Sequence, residues 1–119
     1  MEKVYDLEDR TEAFAANCRK LVRKLNRDVG NIEDGKQLVK SSGSVAANYI
    51  EANESLSDKD FVYRAKVCRK ESKESRLWLR LLEIHEESLK AFRADLVREA
   101  GEFVKIFTSM INKFPPTGR

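Results

Sequence analysis

Apolar residues recur every three or four positions along most of the chain, which is the period of helices with one buried face. Turn residues interrupt this pattern. Two glycines and an asparagine stand within residues 29–35, and Ser57 stands where the N-cap of a following helix belongs. The proline pair that begins at Pro115 ends the last helix. The pattern therefore predicts four helices, over residues 7–28, 34–54, 58–84 and 86–113.

These four predicted helices point to a single all-α domain. At 1.5 Å per residue they are roughly 30–40 Å long. Their connections are short, and short connections make helices that follow one another in sequence antiparallel neighbours. No internal repeat or linker marks a second domain. We therefore expect residues 1–119 to form one antiparallel up-down-up-down four-helix bundle.

The composition agrees with this fold class and argues against several kinds of protein. Hydrophobic residues make up 41% and charged residues 36% of the 119 residues, and five Gly and two Pro are few for a β-sandwich. No apolar segment resembles a signal peptide, and no apolar run is long enough to span a membrane. We therefore expect a cytoplasmic protein without a membrane partner. The two cysteines, Cys18 and Cys68, are predicted to be small core residues.

The chain lacks the motifs of common enzymes and metal proteins. Its one histidine, His85, has Leu82 three residues before it instead of the glutamate of a di-iron Glu-x-x-His motif. There is no phosphate-binding loop, dinucleotide-binding motif or nucleophile elbow. We therefore expect no enzymatic activity, no catalytic residue, no metal and no cofactor. His85 is expected in the turn between the third and fourth helices.

Polar residues interrupt the predicted buried faces of helices two, three and four. Buried polar groups need hydrogen-bond partners. The simplest interpretation is therefore a hydrogen-bonded layer whose small residues also let the helices approach closely. The alternative is a ligand or ion site inside the bundle. The candidate residues of this polar core are Ser41, Ser42, Asn48, Glu71, Ser72 and Glu99, together with Ser75.

Basic residues are concentrated on the first and third helices, and the formal net charge of the chain is +3. They form either a solvated face with local Glu–Lys pairs or a surface that binds the phosphates of RNA or DNA. No aromatic residues alternate with them, so backbone binding is expected rather than base-specific readout. The sequence leaves open whether these two helices are adjacent or diagonal. The candidate nucleic-acid-binding residues are Arg19, Lys20, Arg23 and Arg27 on helix one, and Lys66, Arg69, Lys70, Lys73, Arg76 and Arg80 on helix three.

The end of the third helix is apolar nearly all the way round, although one bundle core needs only a stripe. Surplus apolar surface marks an interface with a partner. A second copy of the same chain is the simplest partner, because identical chains present identical patches. The alternative is that Trp78 belongs to a deep core. The candidate interface residues are Leu77, Trp78, Leu81 and Ile84, with Ile50 on helix two.

One segment of the second helix carries a family resemblance. Residues 37–52 read Gln-Leu-Val-Lys-Ser-Ser-Gly-Ser-Val-Ala-Ala-Asn-Tyr-Ile-Glu-Ala. They resemble the signature of the four-helix-bundle proteins encoded in intervening sequences of 23S ribosomal RNA. Two later blocks are similar to the same family, namely Lys59-Asp60-Phe61 and the Glu-x₂-Glu-x₃-Trp-Leu pattern within residues 71–79. Ala52 departs from the glycine that the family often has, and the first loop lacks the family's frequent proline.

This resemblance implies a pentamer of four-helix bundles, arranged as a barrel around a central channel. It also implies kinship with the accessory proteins of diversity-generating retroelements, which bind nucleic acid and partner a reverse transcriptase. The matched residues look structural, so none is carried over as catalytic. We therefore expect a non-enzymatic homo-oligomer that binds RNA or DNA. The alternative is a protein–protein adaptor or scaffold without nucleic-acid binding.

Overall fold

A computed structural model describes residues 7–115 of the chain, and this part is an all-α four-helix bundle, which confirms the predicted fold class. The predictions for residues 1–6 and 116–119, including the second residue of the proline pair, lie outside the described residues. The helices are α1 (Leu7–Arg23), α2 (Val29–Asn53), α3 (Asp58–Leu81) and α4 (Glu87–Asn112).

The helices pack in a ring in the order of the sequence. α2 packs against α1 and α3, and α3 packs against α4. α1 meets α4 over a shorter stretch, which closes the ring. The backbones of α1 and α3 do not approach each other within 8 Å. The two helices that carry most of the predicted basic residues therefore lie diagonally across the bundle.

The first turn lies earlier in the chain than the sequence pattern predicts. α1 ends at Arg23 and α2 already begins at Val29, so the expected break at residues 29–35 is wrong. Asp28 explains this shift, because its Oδ1 accepts a hydrogen bond of 2.8 Å from the backbone N–H of Asn31 and so caps α2. Gly35 is helical and buried. A Cβ added there would lie 3.2 Å from Val22 Cγ1, so glycine permits a close approach of α1 and α2.

The remaining helix ends agree more closely with the sequence. Ser57 caps α3 as predicted, because the backbone N–H of Asp60 donates to its Oγ at 3.1 Å. α3 ends at Leu81 instead of residue 84. His85 lies exposed in the connection between α3 and α4, which confirms its expected position.

An arginine of α4 closes the C-terminal end of α3. Arg93 Nη1 donates to the carbonyl oxygens of Leu79 and Leu82 at 3.1 and 2.8 Å. Leu79 lies in the last turn of α3 and Leu82 is its C-cap residue, and carbonyls at a helix end have no partner within the helix. In the connection between α3 and α4, the side chains of Leu82 and Ile84 pack into the core.

All four helices contribute apolar side chains to one core. Phe14 of α1 and Phe103 of α4 meet edge to face, with 5.3 Å between ring centroids. Cys18 and Cys68 are completely buried and free, which confirms the prediction that they are small core residues. The other core residues are Leu7, Leu21, Leu38, Val45, Tyr49, Ala52, Leu79, Leu82, Ile84, Leu96, Ala100 and Phe107.

A buried asparagine joins the two connections at one end of the bundle. Asn31 Nδ2 donates to the carbonyl oxygens of Asn26 and Glu83, at 3.1 and 3.0 Å. Asn31 Oδ1 accepts from the backbone N–H of Glu83 at 2.9 Å. Residue 26 belongs to the α1–α2 connection and residue 83 to the α3–α4 connection. One side chain therefore satisfies backbone groups of both connections.

Replacement of Asn31 by alanine should lower the free energy of unfolding by about 2–3 kcal/mol, because it leaves buried backbone groups without partners. Chemical denaturation followed by circular dichroism measures this loss. Asn26→Ala is the matched control, because the Asn26 side chain is exposed and should change stability by less than about 0.5 kcal/mol. Equal losses for the two variants would contradict the role given to Asn31.

Candidate functional site

Five of the six candidate cations on α3 have no acidic partner in the part of the chain that the structure describes. No carboxylate of the described residues lies within 4 Å of their nitrogen atoms, whereas Lys70 Nζ lies 3.6 Å from Glu71 Oε2. Local Glu–Lys pairing therefore does not account for this face. We call these five residues the α3 stripe. Its members are Lys66, Arg69, Lys73, Arg76 and Arg80.

Part of the α3 stripe extends over α4. Arg69 Nη1 donates to Thr108 Oγ1 at 3.2 Å. Arg76 crosses α4 at Gly101, where an added Cβ would lie 3.5 Å from its Nη1. Arg76 and Arg80 then line one wall of an open groove between α3 and α4. A Cβ at that distance would be in ordinary van der Waals contact with the guanidinium group of Arg76.

The carboxylates in this groove are already engaged by other cations. Glu99 accepts two hydrogen bonds from Arg10 of α1, at 2.7 and 3.1 Å. The two remaining acids of the groove pair within α4, and these pairs are Asp95 with Arg98 and Glu102 with Lys105. The positive charges of Arg76 and Arg80 are therefore not neutralised inside the groove, and an anion can bind there.

The candidate cations of helix one form a separate surface. Arg19 is partly buried, because its Nη1 donates to the Ala15 carbonyl at 3.1 Å and its guanidinium group lies over Gly43 of α2. Lys20 and Arg23 are exposed on α1. Arg27 is exposed in the α1–α2 connection, outside the helix in which it was predicted. Because α1 and α3 are diagonal, these residues do not form one face with the α3 stripe.

The serines of the predicted polar core lie inside the bundle and are satisfied there. The Oγ atoms of Ser41 and Ser75 lie 2.8 Å apart and join α2 to α3. Ser42 donates to the Val39 carbonyl at 3.3 Å, and Ser72 donates to its own helix at 2.8 Å. Every fully buried side-chain polar atom of residues 7–115 has a hydrogen-bond partner. The geometry thus favours a structural layer over a ligand site.

Three residues predicted for the polar core lie at its margin instead. Asn48 is partly exposed and accepts a hydrogen bond of 2.8 Å from Arg64 on the α2–α3 surface. Glu71 and Glu99 are also partly exposed. The helical period predicts only that these residues lie near the core. It does not predict their burial, because long polar side chains at such positions can extend to the solvent.

The predicted apolar interface is smaller than the sequence suggests. Ile84 is buried within its own bundle, so its assignment to the interface is wrong. Trp78 is partly buried against the core. Leu77 and Leu81 remain about half exposed on α3. Ile50 is also half exposed, but it lies two turns after Gly43 on the flank of α2 that faces α1.

Three further residues lie at the α3 stripe and are not apparent from the pattern of its cations. Tyr63 is 60% exposed and lies one turn before Lys66, with the guanidinium carbon of Arg64 5.4 Å from its ring centroid. Tyr63 precedes the cations of the α3 stripe in the sequence, so it is not one of the residues that alternate with them. Thr108 and Gly101 face the α3 stripe only through the packing of α3 against α4, for which no sequence signal exists.

The cysteines do not provide a reactive nucleophile. Burial raises the pKa of the Cys18 and Cys68 thiols from 9.0 to about 12. Among residues 7–115, no three side chains of the metal-binding types are grouped so that they could hold a metal ion. No helix of this part of the chain has the length and apolar character that a membrane span requires.

Comparison with solved structures identifies a similar fold. The chain resembles a crystal structure of a protein of unknown function from the S23 ribosomal protein family of Bacteroides thetaiotaomicron, with a TM-score of 0.72 and 26% sequence identity. The similarity covers 87% of this chain and 96% of that chain. No protein-family model and no curated protein matches the sequence.

We expect both thiols of the native protein to react very slowly with a thiol reagent at neutral pH, and completely in denaturant. Ser88→Cys is the control, because residue 88 is exposed and its thiol should react at once. The stability that the buried thiols contribute should fall as the pH rises from 9.0 toward about 12, because only the unfolded thiols then ionise. Rapid labelling of the native wild type would contradict this expectation.

Proposed function

We propose that this protein is a non-enzymatic, homo-oligomeric bundle that binds the phosphates of RNA or DNA through the α3 stripe. The observation that supports the proposal is that Lys66, Arg69, Lys73, Arg76 and Arg80 share one side of α3 without a carboxylate partner among residues 7–115. Unpaired cations in a row repel one another and are stabilised when an anion binds. An RNA or DNA backbone provides several phosphates that can contact such a row of cations together.

The dimensions of the α3 stripe suit a nucleic-acid backbone. From residue 66 to residue 80 the helix rises about 21 Å. A duplex presents a phosphate charge about every 1.7 Å of its axis, so several phosphates fall within this length. Such binding is strongly salt-dependent and weakly sequence-specific. Tyr63 at the end of the stripe offers one exposed ring on which an unpaired base could stack.

One structural neighbour and the family resemblance of the second helix give this proposal its context. The structural neighbour is assigned to a ribosomal protein family, although its own function is unknown. The resemblance of residues 37–52 to proteins encoded in ribosomal RNA intervening sequences suggests a pentamer. The relation of that family to the accessory proteins of retroelements suggests a reverse-transcriptase partner.

A protein adaptor without nucleic-acid binding is the second candidate function. Leu77 and Leu81 are about half exposed at the C-terminal end of α3, close to the cations. An interface that combines exposed leucines with arginines suits an acidic protein partner. Binding of such a partner, without measurable affinity for RNA or DNA, would favour this alternative.

Simultaneous replacement of Arg69, Lys73 and Arg76 by alanine should weaken nucleic-acid binding most at low salt. Each phosphate contact that is lost lowers the slope of log affinity against log salt by about one unit, so a loss of up to about three units is expected. Fluorescence anisotropy of a labelled RNA duplex and of a DNA duplex over a salt series measures this slope.

A second triple variant, Lys20→Ala with Arg23→Ala and Lys24→Ala, removes the same charge from the diagonal side of the bundle and leaves Arg27 unchanged. It should change the slope less than the α3 variant does. An unchanged slope in the α3 variant, with its helical circular dichroism retained, would overturn the assignment of the α3 stripe.

A further inference from the structure

The turn between α2 and α3 presents an exposed leucine among acidic residues. Leu56 is 98% exposed, although the turn is joined to both helices by hydrogen bonds. Four exposed carboxylates surround it, and none lies within 4 Å of a lysine or arginine nitrogen of the described residues. Two cations, Arg64 and the exposed Lys59, lie beside them, so the turn remains acidic on balance. We call this feature the acidic knob. It consists of Leu56 with Glu51, Glu54, Asp58 and Asp60.

The helix dipoles favour a negative charge at only two of these four carboxylates. Asp58 and Asp60 lie in the first turn of α3, where the helix dipole favours negative charge. Glu51 and Glu54 lie at the C-terminal end of α2, where the dipole disfavours it, and no basic residue stands in that turn. Their position is therefore unfavourable within the isolated bundle and favourable beside a basic partner.

The opposite end of the bundle carries a surface of complementary character. An open groove of about 380 Å³ lies between α1 and α2, with an apolar lining that includes Val22, Leu25, Ile32 and Val39. Arg27 and Lys36 also line it. Arg27 has no carboxylate partner among the described residues, and Lys36 has only an exposed contact of 3.6 Å with Glu33. We call this feature the basic groove.

The two features cannot meet within one molecule. The groove's lining on α2 extends to Val39 and α2 ends at Asn53, so about 21 Å of helix separates the basic groove from the acidic knob. The groove offers an apolar surface with a basic rim, and the knob offers an apolar side chain with an acidic rim. A second copy of the chain therefore provides an occupant of matching charge for each feature.

We propose that Leu56 of one copy inserts into the basic groove of a second copy, so that the chains associate head to tail. Such a contact is heterologous, because each copy uses its knob on one neighbour and its groove on another, and it builds a ring or a filament. It gives Arg27 a role in subunit contact and leaves the α3 stripe free. The inference rests on the self-association part of the proposed function and not on nucleic-acid binding.

Leu56→Asp tests the contact without disturbing the fold, because the side chain is almost fully exposed. It should weaken self-association about tenfold or more, as expected for an apolar anchor of an interface. Light scattering should then show a mass below that of the wild type, at unchanged helical circular dichroism. A wild type that stays at 13.7 kDa would overturn both this contact and the proposed oligomer.

The direction of the contact has a test of its own. Arg27→Glu combined with Lys36→Glu changes only exposed side chains and should also lower the mass. When this variant is mixed with Leu56→Asp, one retains an intact knob and the other an intact groove. Exactly one contact can then form, so the mixture should show a pair near twice 13.7 kDa. A mixture with the masses of its separate components would overturn the head-to-tail arrangement.

Leu81→Asp is the comparison variant, since Leu81 is exposed, belongs to the α3 patch that the sequence predicts as an interface, and lines neither the acidic knob nor the basic groove. Its mass should equal that of the wild type. If Leu81→Asp dissociates the oligomer while Leu56→Asp does not, the contact proposed here is wrong and the predicted α3 patch is the interface. Nucleic-acid affinity of the Leu56→Asp variant reports separately on the α3 stripe.

Discussion

The close approach of α2 to its two neighbours is the constraint on which the rest of the bundle depends. Gly35 lets α2 lie against Val22 of α1, and the contact between Ser41 and Ser75 joins it to α3. Small residues make these approaches possible, and the serines satisfy each other or nearby carbonyls, so that no fully buried side-chain polar atom of residues 7–115 is left without a partner. Larger side chains at these positions would separate the helices and open the core.

This packing decides which charges face solvent. With α2 and α4 between them, α1 and α3 lie on the diagonal, and their basic residues point to different sides of the bundle. The carboxylates of α4 pair with Arg10 or with cations of their own helix. As a result, they do not neutralise the neighbouring arginines of α3. The positive surface thus depends on which cations the acidic residues pair with, as well as on the number of lysines and arginines.

The bundle also differs between its two ends. One end carries the α2–α3 turn with Leu56 and its carboxylates. The other carries the apolar groove of α1 and α2, the basic residues beside it, and the Asn31 contacts that hold the two connections together. A rigid connection is useful at an interface, because less conformational freedom is lost when the surfaces meet. Side-face phosphate binding and end-to-end association would then use separate surfaces of the same molecule.

The helical period by itself determined the number of helices, their class and most of the core, because one buried stripe per helix is a local property of the chain. It also determined the cap at Ser57 and the burial of the cysteines. It misplaced the first turn, because two glycines in sequence do not reveal that Asp28 caps a helix running through them. Only the tertiary structure decided that α1 and α3 are diagonal, that Ile84 folds back into the core, and that Arg69 and Arg76 reach α4. Each of these depends on which helix lies beside which, and contacts between distant parts of the chain leave no periodic signal in a single sequence.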